Sequence, residues 1–248
     1  FVVLLSLWTV PSYAQFKYTA LTAEIEDMDV DTARYELEVL SRYVAEYPRM
    51  PPDEQSAWLE KGHMPYSRAI VPVEEAHIDW ILRALNSEAF AQREAYWTVA
   101  YHALVVLRQL DSDSPELPQI AQRILSLNLP PTITYLPHET LVELCLTLLV
   151  EAESDEFMDV VLRAENADFW RDKMENATLE APSSLLVEGE DHLLITLRAK
   201  PVQVLAKLRP QQSLDWLNEI VARADETPGY LKLVHGCLEA AQHRLRDE

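Results

Sequence analysis

The sequence predicts an all-α fold, on three observations. The 248 residues hold four glycines against fifteen prolines, whereas sheet-rich domains need more glycine for their hairpin turns. Apolar residues recur at helical spacing through most of the chain. The prolines fall between these periodic segments, where they start and stop helices. Together they predict about ten short helices in antiparallel pairs with tight turns, either an α-solenoid-like array or an irregular multi-helix one.

A first helix is expected over Asp31–Tyr47, where Ala33, Leu37, Leu40 and Val44 share a face and Pro48 closes the run. A shorter one follows Pro51-Pro52, with Trp58 and Leu59 on its apolar side. Pro72 opens a segment carrying Val73, Ile78, Ile81, Leu82 and Leu85. After Asn86-Ser87 comes the longest predicted helix, Glu88 to Leu110, with Tyr96, Val99, Ala103, Val106 and Leu110 in one stripe. Asp111–Pro115 reads as a turn with a ready N-cap before a helix to about Leu127.

Pro130-Pro131 and Pro137 bracket a loop, and Glu139–Val150 is apolar on most sides and therefore central. Phe157–Ala164 and Asp168–Thr178 read as two further helices. Ser184–Leu197 reads as a small hairpin or as the start of a helix. Pro201 and Pro210 each look like a first helical residue, for Val202–Arg209 and Gln211–Ala224, and Pro228-Gly229 precedes a last helix over Tyr230–Arg246.

One internal echo fits a repeat: His77-Ile-Asp-Trp-Ile81 and Ser213-Leu-Asp-Trp-Leu217 each set Asp-Trp within an apolar helical stripe. The segment Tyr35–Pro48, ending Ala-Glu-Tyr-Pro, looks like the second helix of a tetratricopeptide unit, although the matching upstream pattern is missing. A HEAT- or TPR-type stacking of helix pairs is the expectation that follows. Residues 15–248 read as a single helical domain with a weak subdivision near 166–184.

Residues 1–14 read as the remnant of a cleaved signal peptide: an uncharged apolar run, then Pro11, then Ser12 and Ala14 at the small-x-small cleavage pattern. That predicts a mature protein starting at Gln15 and an exported location, periplasmic or extracellular. The apolar run up to Pro11 falls short of the roughly 20 residues that span a bilayer.

Lys plus Arg number 21 against 41 Asp plus Glu, a formal charge of −20. A field of that sign repels phosphate backbones and anionic lipid, so the expected partner is a protein or peptide, one of basic character fitting best, and not nucleic acid. Cys145 and Cys237 both sit in apolar helical patterns; an exported location allows one bridge between them, and burial allows two free thiols.

No HExxH, GxSxG, Walker A or GxGxxG pattern occurs, and no cofactor is expected. Asp27, Asp29, Asp31 and Glu38 occupy positions 1, 3, 5 and 12 of a calcium loop, but Thr32 stands where the loop needs glycine. The competing reading is an acidic helix start with Asp29 or Asp31 as cap. Glu74 and His77 share a helical face, a unit that metal sites in helical bundles use in duplicate. Asn176-Ala-Thr178 matches a glycosylation acceptor.

Tyr96, Trp97, Tyr101 and His102 on the predicted long helix are the candidate binding patch. The function these features favour is a non-catalytic, exported helical-repeat module that binds a protein or peptide. The alternative is an exported metal-dependent or hydrolytic enzyme that uses Glu/His pairs on a helical scaffold.

Overall fold

The computed structural model describes residues 18–46, 75–110, 114–180 and 191–247. The predicted leader, the helix after Pro51, Glu74, the Asp111–Asp113 turn and the first half of the predicted hairpin lie outside the described residues. What is described is all-α. Its helices are α1 (Val30–Glu46), α2 (Glu75–Asn86), α3 (Glu88–Ala91), α4 (Tyr96–Leu110), α5 (Glu116–Ser126), α6 (Thr140–Glu151), α7 (Asp155–Arg163), α8 (Ala167–Arg171), α9 (His192–Leu208), α10 (Pro210–Val221) and α11 (Pro228–Asp247). A π-turn, Tyr135–Glu139, leads into α6. Two two-residue strands, β1 (Thr132–Ile133) and β2 (Thr178–Leu179), pair in parallel.

Cross-links between helices set their directions. Trp97 stacks edge-on against His138 where α4 and α6 begin, and Arg108 bonds Glu151 where they end, so the two run side by side in one sense. Lys200 meets Glu143, and Arg209 meets Glu153 past the end of α6, so α9 runs the same way. Arg198 lies over the Tyr230 ring near the start of α11, and Arg244 near its end donates to the Lys207 carbonyl, which makes α11 parallel to α9. α1 packs along α4, with Arg93 reaching Glu26 ahead of both.

The remaining long helices return. α2 ends at the start of α4, where Tyr96 donates to the Leu85 carbonyl, and α5 ends there too, with Trp97 Nε1 donating to Asn128. α10 runs back from the end of α9 to Arg223, which pairs with Glu165. The array is therefore two-layered: parallel helices α1, α4, α6, α9 and α11, and a return layer of α2, α5, α7 and α10. This connectivity is that of stacked helix pairs.

Burial follows the layers. α6 is buried almost all round, through Leu141, Val142, Cys145, Leu146, Leu148 and Leu149. α9 divides two apolar clusters: Leu193, Leu197 and Leu205 join the main core, while Ile195, Ala199, Val202 and Ala206 pack with α10 and α11 around Leu217, Tyr230 and Val234. The Asp-Trp echo falls on equivalent return helices, α2 and α10; Ile81 and Leu217 are buried and both aspartates are exposed.

Three expectations are corrected, and two open alternatives are decided. Glu88–Leu110 is two helices, broken over residues 92–95, because Phe90 and Tyr96 turn edge-on to each other in the core. Pro201 lies inside α9 and does not start a helix. An internal proline costs about 3 kcal/mol, which the burial of several aliphatic residues at about 1.5–3 kcal/mol each on both sides of α9 exceeds. The same burial makes residues 192–197 the first turns of α9, not a hairpin strand. Asp168–Thr178 is shorter than a full helix: α8 and a 3-10 turn end at Met174, and the chain then straightens into β2. Cys145 and Cys237 are free thiols, one in each apolar cluster.

Candidate functional site

The outward side chains of the central parallel helices α4, α6 and α9 are largely sheltered, whereas α1 leaves Arg34 and Tyr35 exposed and α11 leaves Lys232, His235 and Glu239 exposed. Thr98, Tyr101, His102 and Val105 on α4, Glu143 and Thr147 on α6, and Thr196 and Gln203 on α9 are all half-buried. The return layer differs: Gln211, Asp215, Asn218 and Glu219 on α10 and Asp155, Glu156 and Asp159 on α7 are exposed. Helical spacing alone selects these residues, since each helix turns its remaining sides into the core. The sheltered face is the surface best placed to hold an extended ligand.

The π-turn supplies the head of this face. Pro137 has no N–H to donate, and the turn closes through the Glu139 N–H bonding to the Thr134 carbonyl at 2.9 Å, five residues back. Tyr135 is left 67 % exposed, the most open of the large apolar side chains among the described residues. Behind it His138 Nδ1 accepts the Thr134 N–H at 3.2 Å. Burial lowers the pKa of His138, against the raising pull of its Thr132 backbone bond and of Glu94 and Glu180.

Next to Tyr135 lies a buried ammonium. Lys200 Nζ is 3.3 Å from Glu139, 3.7 Å from Glu143 and 5.8 Å from the Tyr135 ring centroid. Lys200 and Glu139 are both buried, while Glu143 keeps one side in water. A buried cation needs such partners, because an unpaired one is costly. A groove of about 390 Å³ opens at the same end, lined by Arg93, Glu94, Trp97, Asn128 and the Pro130-Pro131 pair.

The predicted patch divides. Tyr101 and His102 lie on the sheltered face, their rings edge-on at 4.9 Å. Burial raises the pKa of Tyr101, with nearby Tyr135 adding to the shift. Tyr96 is a core residue: its hydroxyl donates to Leu85 at 2.8 Å, and burial pushes its pKa far up. Trp97 is buried apart from the edge that lines the groove, with Nε1 bound to Asn128 at 3.1 Å.

The metal readings meet a different arrangement. Asp29 caps α1, its Oδ1 accepting the Asp31 N–H at 3.2 Å and its Oδ2 the Thr32 hydroxyl at 2.7 Å; the Thr32 bonds lower its pKa. Asp31 pairs with Arg34, and Glu38 follows on the helix itself, so the stretch from Asp27 to Glu38 is a helix start and not a closed loop. His77 is buried with its ring edge-on to Tyr18 at 5.0 Å. His77, His102 and His243 stand on α2, α4 and α11. Among the described residues no group of three or more His, Cys, Asp or Glu is placed to hold a metal ion.

Tyr135, Glu143 and Lys200 were not selected from the sequence. Their one signal is Arg198-Ala-Lys200 within an apolar run, which marks cations that need buried partners. Comparison with protein-family models, with curated proteins and with solved structures finds no match to this chain.

Proposed function

We propose that this chain is an exported, non-catalytic helical-repeat module that holds a protein or peptide segment on the sheltered face of its parallel helices. The observation that carries this reading is the row of half-buried outward side chains on α4, α6 and α9, headed by the exposed Tyr135. Ordinary surface residues on single helices are more open, as α7 and α10 show. Stacked helix pairs supply such faces as extended, rigid binding surfaces, and tyrosine gives contact area with little entropy to lose. The −20 charge argues for a basic segment over nucleic acid. Export rests on the small-x-small pattern of residues 12–14.

Selection of peptides from a displayed random library on the immobilised protein, followed by hydrogen exchange of the complex, tests the binding reading. Protection is expected on the outward side of α4, α6 and α9. Selected peptides that protect only α7 and α10 overturn it. N-terminal sequencing of protein recovered outside the cytoplasm tests export, with Gln15 as the expected first residue.

A further inference from the structure

We infer that Asn176 is the acceptor of an N-linked oligosaccharide, added to the chain on its way out of the cell. The inference rests on the export reading above and is independent of the binding one. Asn176-Ala-Thr178 carries the three features the transfer uses: the asparagine amide, a middle residue other than proline, and a hydroxyl two places on. Of the five asparagines in the chain only Asn176 begins that pattern. Asn86, Asn128, Asn166 and Asn218 are followed, two places on, by Glu88, Pro130, Asp168 and Ile220.

The fold keeps the motif outside. A glycan is bulky and hydrated and needs a surface turn. Asn176 lies between the 3-10 turn that ends at Met174 and β2, and both Asn176 and Thr178 are exposed. Backbone bonds hold the chain on the far side of it. The Ala177 N–H donates to the Met174 carbonyl at 2.8 Å, and the Thr178 N–H and hydroxyl both donate to the Pro131 carbonyl, at 2.9 and 3.2 Å. None of these bonds uses the Asn176 amide, so a sugar on it displaces none of them. Three other asparagines use their side chains within the fold. Asn166 Oδ1 caps α8 at 3.0 Å, Asn86 Oδ1 accepts from Arg123 at 3.4 Å, and Asn218 Nδ2 donates to the Leu214 carbonyl at 2.9 Å.

The donor class is an oligosaccharide joined through its first sugar to a lipid pyrophosphate. Asn176 Nδ2 attacks the anomeric carbon, and the new C–N bond forms as the bond from that carbon to the pyrophosphate oxygen breaks. The lipid pyrophosphate leaves with the electron pair, and one amide proton passes to a base of the transferring enzyme. Through the Thr178 contact with Pro131, the glycan stands beside the groove that Pro131 lines.

The experiment is peptide mapping by mass spectrometry of the full chain, secreted from cultured eukaryotic cells behind a strong secretory leader. Asn176 is expected to carry a glycan on most chains, and an amidase that frees N-linked glycans should leave aspartic acid in its place. Asn176→Gln and Thr178→Val should abolish the modification, Thr178→Ser should keep it, and Asn218→Gln should change nothing. Circular dichroism of Asn176→Gln, expected to match that of the parent chain, shows that the fold is kept. A secreted parent chain with Asn176 unmodified, or a glycan that persists on Asn176 in Thr178→Val, overturns the inference and leaves export standing. Recovery of the natural protein only from the cytoplasm removes both.

Discussion

Arg198 is joined to Glu165 twice, its Nε donating to the Glu165 backbone carbonyl at 2.7 Å and its Nη2 to the carboxylate at 2.9 Å. The same guanidinium bonds Glu226 at 2.6 and 2.9 Å and lies over the Tyr230 ring, whose hydroxyl donates to Glu165 at 2.6 Å. Arg223 closes the set against Glu165. These residues come from just past the end of α7, from α9, from the turn before α11 and from the first turn of α11, so the cluster ties the C-terminal apolar cluster to the rest of the array. Two guanidinium groups balance two carboxylates, and the donors and acceptors satisfy each other. The cluster therefore reads as structural.

Removing the central cation should be costly. Arg198→Met is expected to lower the unfolding free energy by up to about 3–5 kcal/mol, because it leaves the buried Glu165 and the half-buried Glu226 with Arg223 as their one remaining guanidinium. Urea denaturation at neutral pH measures it. A loss below about 1 kcal/mol would mean that water reaches the carboxylates and that the pairing is worth no more than a surface salt bridge.

Two carboxylates should shape acid stability with opposite signs. The Arg198 hydrogen bond holds Glu226 below its ordinary value of 4.5. A lowered folded-state pKa gives stability that is full above the unfolded value and is lost as pH falls through the folded one. Glu36 is raised above 4.5 by burial, although the backbone N–H groups of Leu21 and Ala20 pull it down. Its contribution is full below the unfolded value and is lost as pH rises through the folded one. Chemical denaturation across the acid range should therefore show that Glu226→Gln flattens the loss below 4.5. Glu36→Gln should flatten a decline above it. The reverse assignment would refute the geometry of both sites.

The thiols should be inert while the chain is folded. Cys145 is fully buried and its pKa is pushed far up by desolvation; Cys237 is half-buried and is raised to about 11 for the same reason. The thiolate is the reactive form, so a chromogenic disulfide reagent near pH 8 should label Cys237 slowly and Cys145 only on unfolding. Fast labelling of both in the native protein would show that the core around α6 opens readily.

Helical periodicity made the layers legible, because each helix keeps one apolar stripe whatever its neighbours do. The break between Phe90 and Tyr96 was not legible: Gln92-Arg-Glu-Ala are sound helix formers, and the turn comes from the seating of two rings in the core. Pro201 misled for the same reason, since burial on both sides of α9 outweighs a local rule. Tyr101 and His102 could be chosen from one helix. Tyr135 and Lys200 lie far apart in the chain and meet only through the parallel packing of α6 and α9, which no local pattern encodes.

That packing also fixes the turn after α6, where Glu153 has φ of 54°, a left-handed conformation in a residue other than glycine. Such a residue past a helix end is commonly glycine, and a side chain there costs about 1 kcal/mol. Glu153 keeps its place while paired with Arg209, but Glu153 is well exposed and water screens the pair, so it adds little. Glu153→Gly should therefore stabilise the chain by roughly 0.5 kcal/mol, the relief of strain exceeding the lost pair. Glu153→Gln keeps the strain and loses the charge, so it should lower stability slightly, by the same amount as Arg209→Gln. Thermal melts of the three variants decide the matter: a destabilised Glu153→Gly beside a neutral Glu153→Gln would show that the left-handed turn is not what limits stability there.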